Sequence, residues 1–321
     1  MNVDEMMPQR ATADPVSSSP AAQAARVPVP CPICDGVEFD VIYEPRIVLD
    51  DPARLYGAAS GVRGAQRLVR CRACGLMYEN PRYSAELIVA GYSASQDSGH
   101  DSQRPMRVRS FARALHQMRK QLPPPGARVL DIGTAGGAFL EAAAQFGYDA
   151  YGMEPSRYLV EQAQLRGLKV TQGTIDAHGF EPASFDLICL WDVLEHLTDP
   201  RAALTEVARL LKPDGIVLIN YPDIGTLQAR LAGRRFWWLL SVHLQHFDRR
   251  SIRDICGRVG LEAFHFQRYW QILEFGYLES MAGQLGVPLT SRIARATPGR
   301  IRRISIPYYA SQTSALARLR R

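Results

Sequence analysis

The sequence predicts an α/β protein whose main domain is a doubly wound, mainly parallel sheet, with a small cysteine-bearing module ahead of it. Three observations predict this fold class. Apolar runs of strand length alternate with helical segments between residues 128 and 220, as in βαβ units. A glycine-rich turn joins the first of these strands to the next helix. Two Cys-x-x-Cys pairs precede the alternating region in a chain of 321 residues, which is long enough for more than one domain.

The N-terminal part divides into a polar lead-in and a cysteine module. Residues 1–27 are rich in Ala, Ser, Pro and Gln without an apolar period, so we expect a disordered lead-in. Residues 28–95 form the predicted zinc-binding module, and its paired cysteines are Cys31, Cys34, Cys71 and Cys74. Four thiolates at this spacing can surround one tetrahedral Zn²⁺, and a site without an open position is structural. No secretory signal is recognisable, so we expect a cytoplasmic protein, in which disulfides are disfavoured.

A linking helix and five strands follow in order. Residues 104–122 carry apolar side chains three or four apart, which predicts a helix within the linking segment 96–126. The main domain is assigned to residues 127–321. Its predicted strands are residues 128–132, 150–153, 168–171, 185–191 and 216–220. The helices between them are residues 137–146, 156–166 and a segment that begins at Pro200. Ser156 and Asp199 are the expected N-caps, because their side-chain oxygens can accept from free N–H groups of the first turn.

The turn after the first strand is the strongest local sign of a ligand. Gly133, Ala135 and Gly137 lie where the strand turns into the helix. Small residues there let a ligand approach the backbone at a helix N-terminus. Glu154 ends the second strand, where a carboxylate can accept hydrogen bonds from both hydroxyls of a ribose. The pattern therefore predicts a site for a cofactor that contains adenosine.

Asp131 distinguishes two classes of cofactor. A dinucleotide would bring a pyrophosphate, which an acid at the strand end repels. S-adenosylmethionine would bring an ammonium group, which the same acid attracts. The dinucleotide pattern also calls for glycine where this chain has Ala135. These residues favour S-adenosylmethionine.

In combination the motifs resemble the class I S-adenosylmethionine-dependent methyltransferases, in the branch with an N-terminal zinc-binding module. The resemblance covers residues 30–321. It rests on segments 70–82, 129–140, 184–188, 191–197, 210–215 and 246–248. It implies a Rossmann-like seven-stranded sheet whose last strand, 312–319, is antiparallel, beside a zinc-ribbon-like module. Ala135 is a departure, since the family usually has glycine there, and we expect the added methyl group to be tolerated.

The same resemblance implies further cofactor-binding residues. Ile175 and Asp176 follow the third strand, where the family holds the adenine. The apolar side chain would cover a ring face, and the polar one would meet the exocyclic amine. Core packing accounts for Ile175 equally well. Asp192, after the fourth strand, completes the implied set.

Methyl transfer to a hydroxyl or carbon acceptor also needs a base that takes the acceptor's proton. His196, His243 and His246 are the candidates, because histidine titrates near neutral pH. His196 follows the fourth strand, and the other two lie in the aromatic segment 237–247, which we expect to cap the pocket. The sequence alone does not decide which of the three histidines is the base. For His196 the alternative is an orienting hydrogen bond within the fold.

By the resemblance, the acceptor is a small molecule, and a sugar is the leading hypothesis, either nucleotide-linked or within a cell-surface glycan. Two alternatives are an RNA methyltransferase, which would use the zinc module and an arginine-rich tail, and a non-enzymatic cofactor-binding protein. Residues 28–95 contain seven arginines against eight acids, a net charge of −1. This balance argues against a nucleic-acid module, which usually has a basic face.

The formal net charge of the chain is +6, and it is unevenly distributed. Residues 286–321 hold eight arginines and no acid, so the first 285 residues hold 30 basic and 32 acidic groups, a net −2. We expect the tail to complete the sheet. Its segment 286–310 is the predicted place for a peripheral contact with anionic lipid or a phosphate-bearing acceptor. No apolar run reaches the ~20 residues that a membrane span needs.

Overall fold

Three sheets form the framework of the described part of the chain, and the two larger ones share a hydrophobic core. The structure is a computed structural model that describes residues 26–47, 49, 55–56, 61–93, 103–275, 298–302 and 304–321. Residues 1–25 of the predicted lead-in lie outside the described residues. Its last two residues are an exception to the predicted disorder, because Arg26 and Val27 pair with Tyr83 and Arg82 as a short antiparallel ribbon.

The strands and helices are numbered along the chain. The strands are β1 Arg26–Val27, β2 Phe39–Tyr43, β3 Leu68–Cys71, β4 Met77–Glu79, β5 Arg82–Tyr83, β6 Arg128–Ile132, β7 Asp149–Glu154, β8 Lys169–Gln172, β9 Phe185–Trp191, β10 Leu211–Pro222, β11 Gln245–His246, β12 Leu261–Glu274 and β13 Ser305–Leu319. The helices are α1 Ala85–Ser93, α2 Arg104–Met118, α3 Ala138–Gln145, α4 Arg157–Leu165, α5 Pro200–Leu210, α6 Leu227–Ala232, α7 Arg249–Arg258 and α8 Gly299–Arg302.

The large sheet has seven strands in the spatial order β12-β13-β10-β9-β6-β7-β8. Strands β6 to β10 pair in parallel, while β13 lies antiparallel between β10 and β12. The predicted seven-stranded sheet with an antiparallel last strand is therefore confirmed. The chain runs outward from β6 in both directions, so a crevice forms at the carboxyl ends of these strands, where such sheets bind ligands.

Local sequence accounts for the central elements. Strand β9 is almost continuously apolar because both faces of it are covered. Helix α4 begins where Ser156 accepts a hydrogen bond from the Leu159 N–H, and α5 begins where Asp199 accepts one from the Ala202 N–H. Both predicted N-caps are confirmed.

The predictions differ from the structure mainly at the C-terminal side of the sheet. Strand β12 was not predicted, because most of its residues are half-buried and it shows no clean apolar run. Strand β13 begins at Ser305 rather than at Gln312, since its first half pairs with β12 beyond the end of β10. Helix α2 ends at Met118, and a turn rather than a helix fills residues 119–122.

The cysteine module packs against the main domain and takes one strand from it. Its four-stranded sheet has the order β11-β4-β3-β2, and β11 comes from the segment after β10. Ile33 and Tyr78 of the module pack in one buried cluster with Phe247. Arg201 on α5 forms a bidentate ion pair with Asp35, at 2.6 and 2.9 Å. The boundaries assigned to the module and to the main domain stay a prediction.

Ion pairs hold the end of the arginine-rich tail against the body of the protein. Arg318 pairs with Glu262 at 3.1 Å, and Arg321 pairs with Asp214 at 3.3 Å. Most of segment 286–310, including Arg292 and Arg295, lies outside the described residues, so its lipid contact stays a prediction. Within the part of the chain that the structure describes, no helix is long and apolar enough to cross a membrane.

Leu218→Ala should lower the free energy of unfolding by about 2–5 kcal/mol, because it leaves a cavity at a fully buried position of β10. Leu231→Ala is the matched control. That leucine is 80% exposed on α6, so the loss should stay below about 0.5 kcal/mol. Urea unfolding followed by circular dichroism measures both values. Equal losses for the two variants would contradict the position of β10 in the core.

Candidate functional site

A cavity of about 650 Å³ lies at the carboxyl edge of the sheet, where β6, β7, β8 and β9 end. This volume is typical of sites for small molecules and cofactors. The cavity brings together four residues that the sequence analysis singled out. They are Gly133, Ile175, Asp176 and His196. Met153 and Val193 add apolar surface between them, so the wall suits a partly apolar ligand with a few polar groups.

The turn after β6 is shaped by residues with positive φ. Gly133 and Gly137 have φ values of +67° and +80°. A Cβ at Gly133 would come within 2.8 Å of Val193 Cγ2, and one at Gly137 would collide with Leu168. Ala135 also has a positive φ, +48°, which is unfavourable for an L-residue with a side chain. We expected Ala135 to be tolerated because its methyl group is small. The structure shows that the positive φ of this residue also strains the backbone.

Asp131 lies at the end of β6, directly below this turn. Its side chain is 2% exposed, and Oδ1 is buried with no hydrogen-bond partner among the described residues. Burial raises the pKa of Asp131 to about 8, while the Thr134 side chain and, to a smaller extent, the charge of Arg107 act in the opposite direction. A buried acceptor without a partner is rare in folded proteins and requires a reason, such as a ligand group that it meets.

Glu154 at the end of β7 is bound to the turn. One carboxylate oxygen accepts from the Ala135 N–H at 2.9 Å, and the other accepts from the Ser156 N–H at 3.0 Å. Burial raises the pKa of this carboxyl group. Each oxygen keeps a second lone pair, so the structure gives Glu154 a role in holding the turn and leaves the predicted ribose contact open.

Asp192 follows β9 and connects the site to the neighbouring strands. Its Oδ1 accepts from Asn220 Nδ2 at 2.8 Å and from Gln312 Nε2 at 2.6 Å. Burial raises the pKa of Asp192 to about 6. The sequence analysis missed Asn220 and Gln312, which lie on β10 and β13. The one sequence signal for these two residues was that Asn220 ends a predicted strand.

The three candidate bases lie close together, but they are not equally placed. Ring centroids are 4.8 Å apart for His196 and His243, and 6.2 Å apart for His243 and His246. His196 contributes to the wall of the 650 Å³ cavity, whereas His243 and His246 are 4% and 3% exposed behind it. Burial lowers the pKa of His196 to about 4, that of His246 to about 3, and that of His243 well below its usual value. All three rings are therefore neutral at pH 7.

Backbone carbonyls fix the orientation of two of these rings. His196 Nδ1 lies 2.8 Å from the carbonyl oxygen of Val242, and His243 Nδ1 lies 2.8 Å from that of Trp238. A carbonyl can only accept, so each Nδ1 carries the proton and each Nε2 carries a lone pair. The orienting hydrogen bond predicted for His196 is thus present, and it is compatible with a role of Nε2 as a base.

The four paired cysteines converge as predicted. The Sγ atoms of Cys31 and Cys74 lie 3.4 Å apart, and those of Cys34 and Cys71 lie 3.5 Å apart. All four lie within 4.8 Å of one another. Sulfur atoms around a tetrahedral Zn²⁺ at ~2.3 Å are ~3.8 Å apart, so the cluster is compatible with the metal. A Cβ at Gly36 would come within 3.2 Å of Cys71 Sγ, which explains the glycine there.

A family model described as "Methyltransferase domain" matches residues 100–265, more than half of the chain. The chain belongs to this methyltransferase family. The matched region contains β6 to β9 and all the residues that line the 650 Å³ cavity except Ile88 and Val89.

Curated relatives of this methyltransferase include ubiquinone biosynthesis O-methyltransferases. That of Xylella fastidiosa is 33% identical over 149 residues, which cover 44% of this chain and 60% of the relative. That of Xanthomonas campestris is 33% identical over 125 residues, which cover 37% of this chain and 52% of the relative. The chain thus spans between half and 60% of the length of these relatives.

A solved structure shows the same fold. It is the complex between the Haloferax volcanii Trm112 methyltransferase activator and a methyltransferase. The match has a TM-score of 0.50 at 18% identity, and it covers 70% of this methyltransferase and 96% of the solved chain. The α/β Rossmann-like methyltransferase fold predicted from the sequence is confirmed.

Ala135→Gly should raise the free energy of unfolding by about 1 kcal/mol, because glycine adopts the positive φ without strain. Ala144→Gly is the matched control. Ala144 is exposed within α3, so its replacement should lower the same free energy by about 0.5–1 kcal/mol. Denaturant unfolding measures the sign of the change in the free energy of unfolding for each variant. A loss of stability in both variants would show that the turn is not strained.

Proposed function

We propose that the protein transfers the methyl group of S-adenosylmethionine to a hydroxyl oxygen of a small molecule. The observation that carries this proposal is the 650 Å³ cavity, which joins the turn at Gly133 to Ile175, Asp176 and His196 at one edge of the sheet. Membership of the methyltransferase family supports the reaction class. The names of the curated relatives support oxygen as the methylated atom.

Residues that line the cavity, together with two acids at the strand ends beside it, fit S-adenosylmethionine. Asp131 offers a buried carboxyl oxygen, and the ammonium group of the methionine part would lower its raised pKa and favour the charged carboxylate. Glu154 and the glycine turn would hold the ribose and the methionine backbone. Ile175 and Asp176 would hold the adenine. When bound, the cofactor supplies a methyl group on a positively charged sulfur, and the protein's task is to align the acceptor with it.

His196 is the base in this proposal. Among the three candidates, it is the one whose side chain reaches the cavity in the described part of the protein. The Val242 carbonyl holds its ring with the lone pair of Nε2 as the proton acceptor. His243 and His246 would act indirectly, since they pack behind His196 and keep its surroundings dry.

A hydroxylated small molecule is the acceptor class that this site supports. The sugar hypothesis belongs here as a proposal that rests on the resemblance to the zinc-module branch. The curated relatives are named for ubiquinone biosynthesis, and these names do not favour a sugar. A panel that contains free sugars, nucleotide sugars and catechols, assayed with methyl-labelled S-adenosylmethionine, separates these acceptors.

His196→Ala should lower kcat by about 10²–10⁴-fold, because a base contributes a factor of this size, while the affinity for S-adenosylmethionine stays within about twofold. Since the pKa of His196 is about 4, wild-type kcat should be flat with respect to this group above about pH 5 and fall as the pH drops through 4. Methyl-label kinetics and calorimetry measure these values.

His265→Ala is the control for that experiment, because this histidine lies on β12, outside the cavity, and should leave both values unchanged. An unchanged kcat for His196→Ala would transfer the role to His243 or His246. Unchanged turnover in all three single variants would refute a histidine base.

We further infer that the four cysteines hold one structural Zn²⁺. Metal analysis should find about one zinc per chain, and Cys74→Ser should lose it because three thiolates bind the ion more weakly. A chelator should lower the melting temperature for the same reason. Cys256→Ser keeps all four ligands and should keep the zinc. Full zinc occupancy in Cys74→Ser would contradict the site.

A further inference from the structure

A second cavity lies at the same edge of the sheet, beyond the end of β10. Its volume is about 630 Å³. Five arginines line it, and we call it the arginine cavity. They are Arg230, Arg249, Arg250, Arg253 and Arg268. Two acids, Asp223 and Asp248, are also part of its wall. Five positive against two negative charges leave the wall with a formal charge of +3.

The two acids are already engaged by the protein. Asp223 accepts hydrogen bonds from Thr313 Oγ1 and from the Gly225 N–H, both at 2.8 Å. Asp248 caps α7 by accepting from the Ser251 N–H at 2.8 Å. These hydrogen bonds engage both carboxylates, so the two acids neutralise the positive charge of the arginines only partly.

The arginines have few acidic partners. Arg249 Nε lies 3.9 Å from Asp223 Oδ2, the limit of an ion pair. In the described ranges of the chain, no carboxylate forms an ion pair with Arg230, Arg250, Arg253 or Arg268. By contrast, Arg72 lies within 3 Å of a carboxylate oxygen at the surface of the protein. Unpaired guanidinium groups in one concave site attract an anion from solution.

Aromatic rings contact three of these arginines, and one of the three is Arg249, whose guanidinium lies 5.7 Å from the ring centre of Phe266. The Arg253 guanidinium lies 4.6 Å from the ring centre of Phe266, and that of Arg268 lies 5.5 Å from the ring centre of Tyr309. Contact with a ring face orients the planar guanidinium while its N–H edge remains available. Such edges match the oxygens of phosphate in a bidentate geometry.

The position of the arginine cavity relates it to the methyl-transfer site. Asp223 directly follows β10, and β10 is the neighbour of β9, at whose end the 650 Å³ cavity begins. Both cavities thus follow the carboxyl ends of adjacent strands, the edge at which such sheets bind ligands.

We propose that the arginine cavity binds a phosphate or diphosphate group of the methyl acceptor and so selects phosphorylated acceptors. This inference rests on the proposed methyl transfer, because it assigns the phosphate group to the methyl acceptor. Binding of an anion to the arginine cavity can nevertheless be measured without turnover. The arginine-rich tail is not needed for it, since the five arginines come from α6, α7 and β12.

The test measures binding of inorganic pyrophosphate to the full chain by calorimetry, with S-adenosylmethionine binding measured in parallel. Arg250→Gln with Arg253→Gln should weaken pyrophosphate binding by about tenfold or more, because two charged donors are lost. Arg157→Gln with Arg321→Gln is the control with the same change of charge. These arginines are 80% and 92% exposed and lie outside both cavities. The control should bind pyrophosphate within about twofold of the wild type.

The affinity for S-adenosylmethionine should be the same in all three proteins, which shows that the variants are folded. Failure of the wild type to bind pyrophosphate, or equal affinity in the cavity variant, would overturn the proposal. Binding to phosphatidylglycerol vesicles without binding to pyrophosphate would overturn it too, in favour of a membrane surface. Wild-type protein that binds pyrophosphate but not S-adenosylmethionine would refute the proposed function and still support an anion site.

Discussion

The insertion of β13 between β10 and β12 is the constraint that fixes the polar residues at the ends of β9 and β10. It places a run of fully buried polar side chains at the centre of the sheet. Gln312 donates to Asp192, Thr313 donates to Asp223, and Ser314 donates to Asn220. Buried polar groups are stable only when they are hydrogen-bonded, so this strand must be in register for the edge to form. The C-terminal strand thus holds Asp192 after β9 on one side and Asp223, an acid of the arginine cavity, on the other.

Burial determines the chemical state of the proposed methyl-transfer site. Asp131 has a raised pKa, His196 has a lowered pKa, and both shifts arise mainly from loss of water around the charged form. Glu195, next to His196, has two buried oxygens without a hydrogen-bond partner among the described residues, and its pKa is also raised. Polar groups in such surroundings are destabilising until a ligand meets them. Their concentration at one edge is therefore typical of a functional site.

The cysteine module is built in part from the segment that carries two of the candidate histidines. Strand β11 completes the module's sheet, and His246 belongs to it while His243 lies just before it. The Leu244 N–H donates to the carbonyl of Glu195 at 2.8 Å, which ties this segment to the end of β9. Metal binding in the module would thus stiffen the segment that carries His243 and His246, which packs behind His196.

The sequence by itself determined the parts that depend on local chemistry. Strand β9, the caps at Ser156 and Asp199, the glycine turn and the paired cysteines were all readable, because each is encoded within a few neighbouring residues. Strand β12, the bonds of Asp192 and the strain at Ala135 were decided only by tertiary structure, since they depend on partners or backbone angles that no local pattern reveals. The charge shows this most clearly. A body with a net charge of −2 gave no hint of a cationic cavity, which exists because three separate elements bring their arginines to one edge of the sheet.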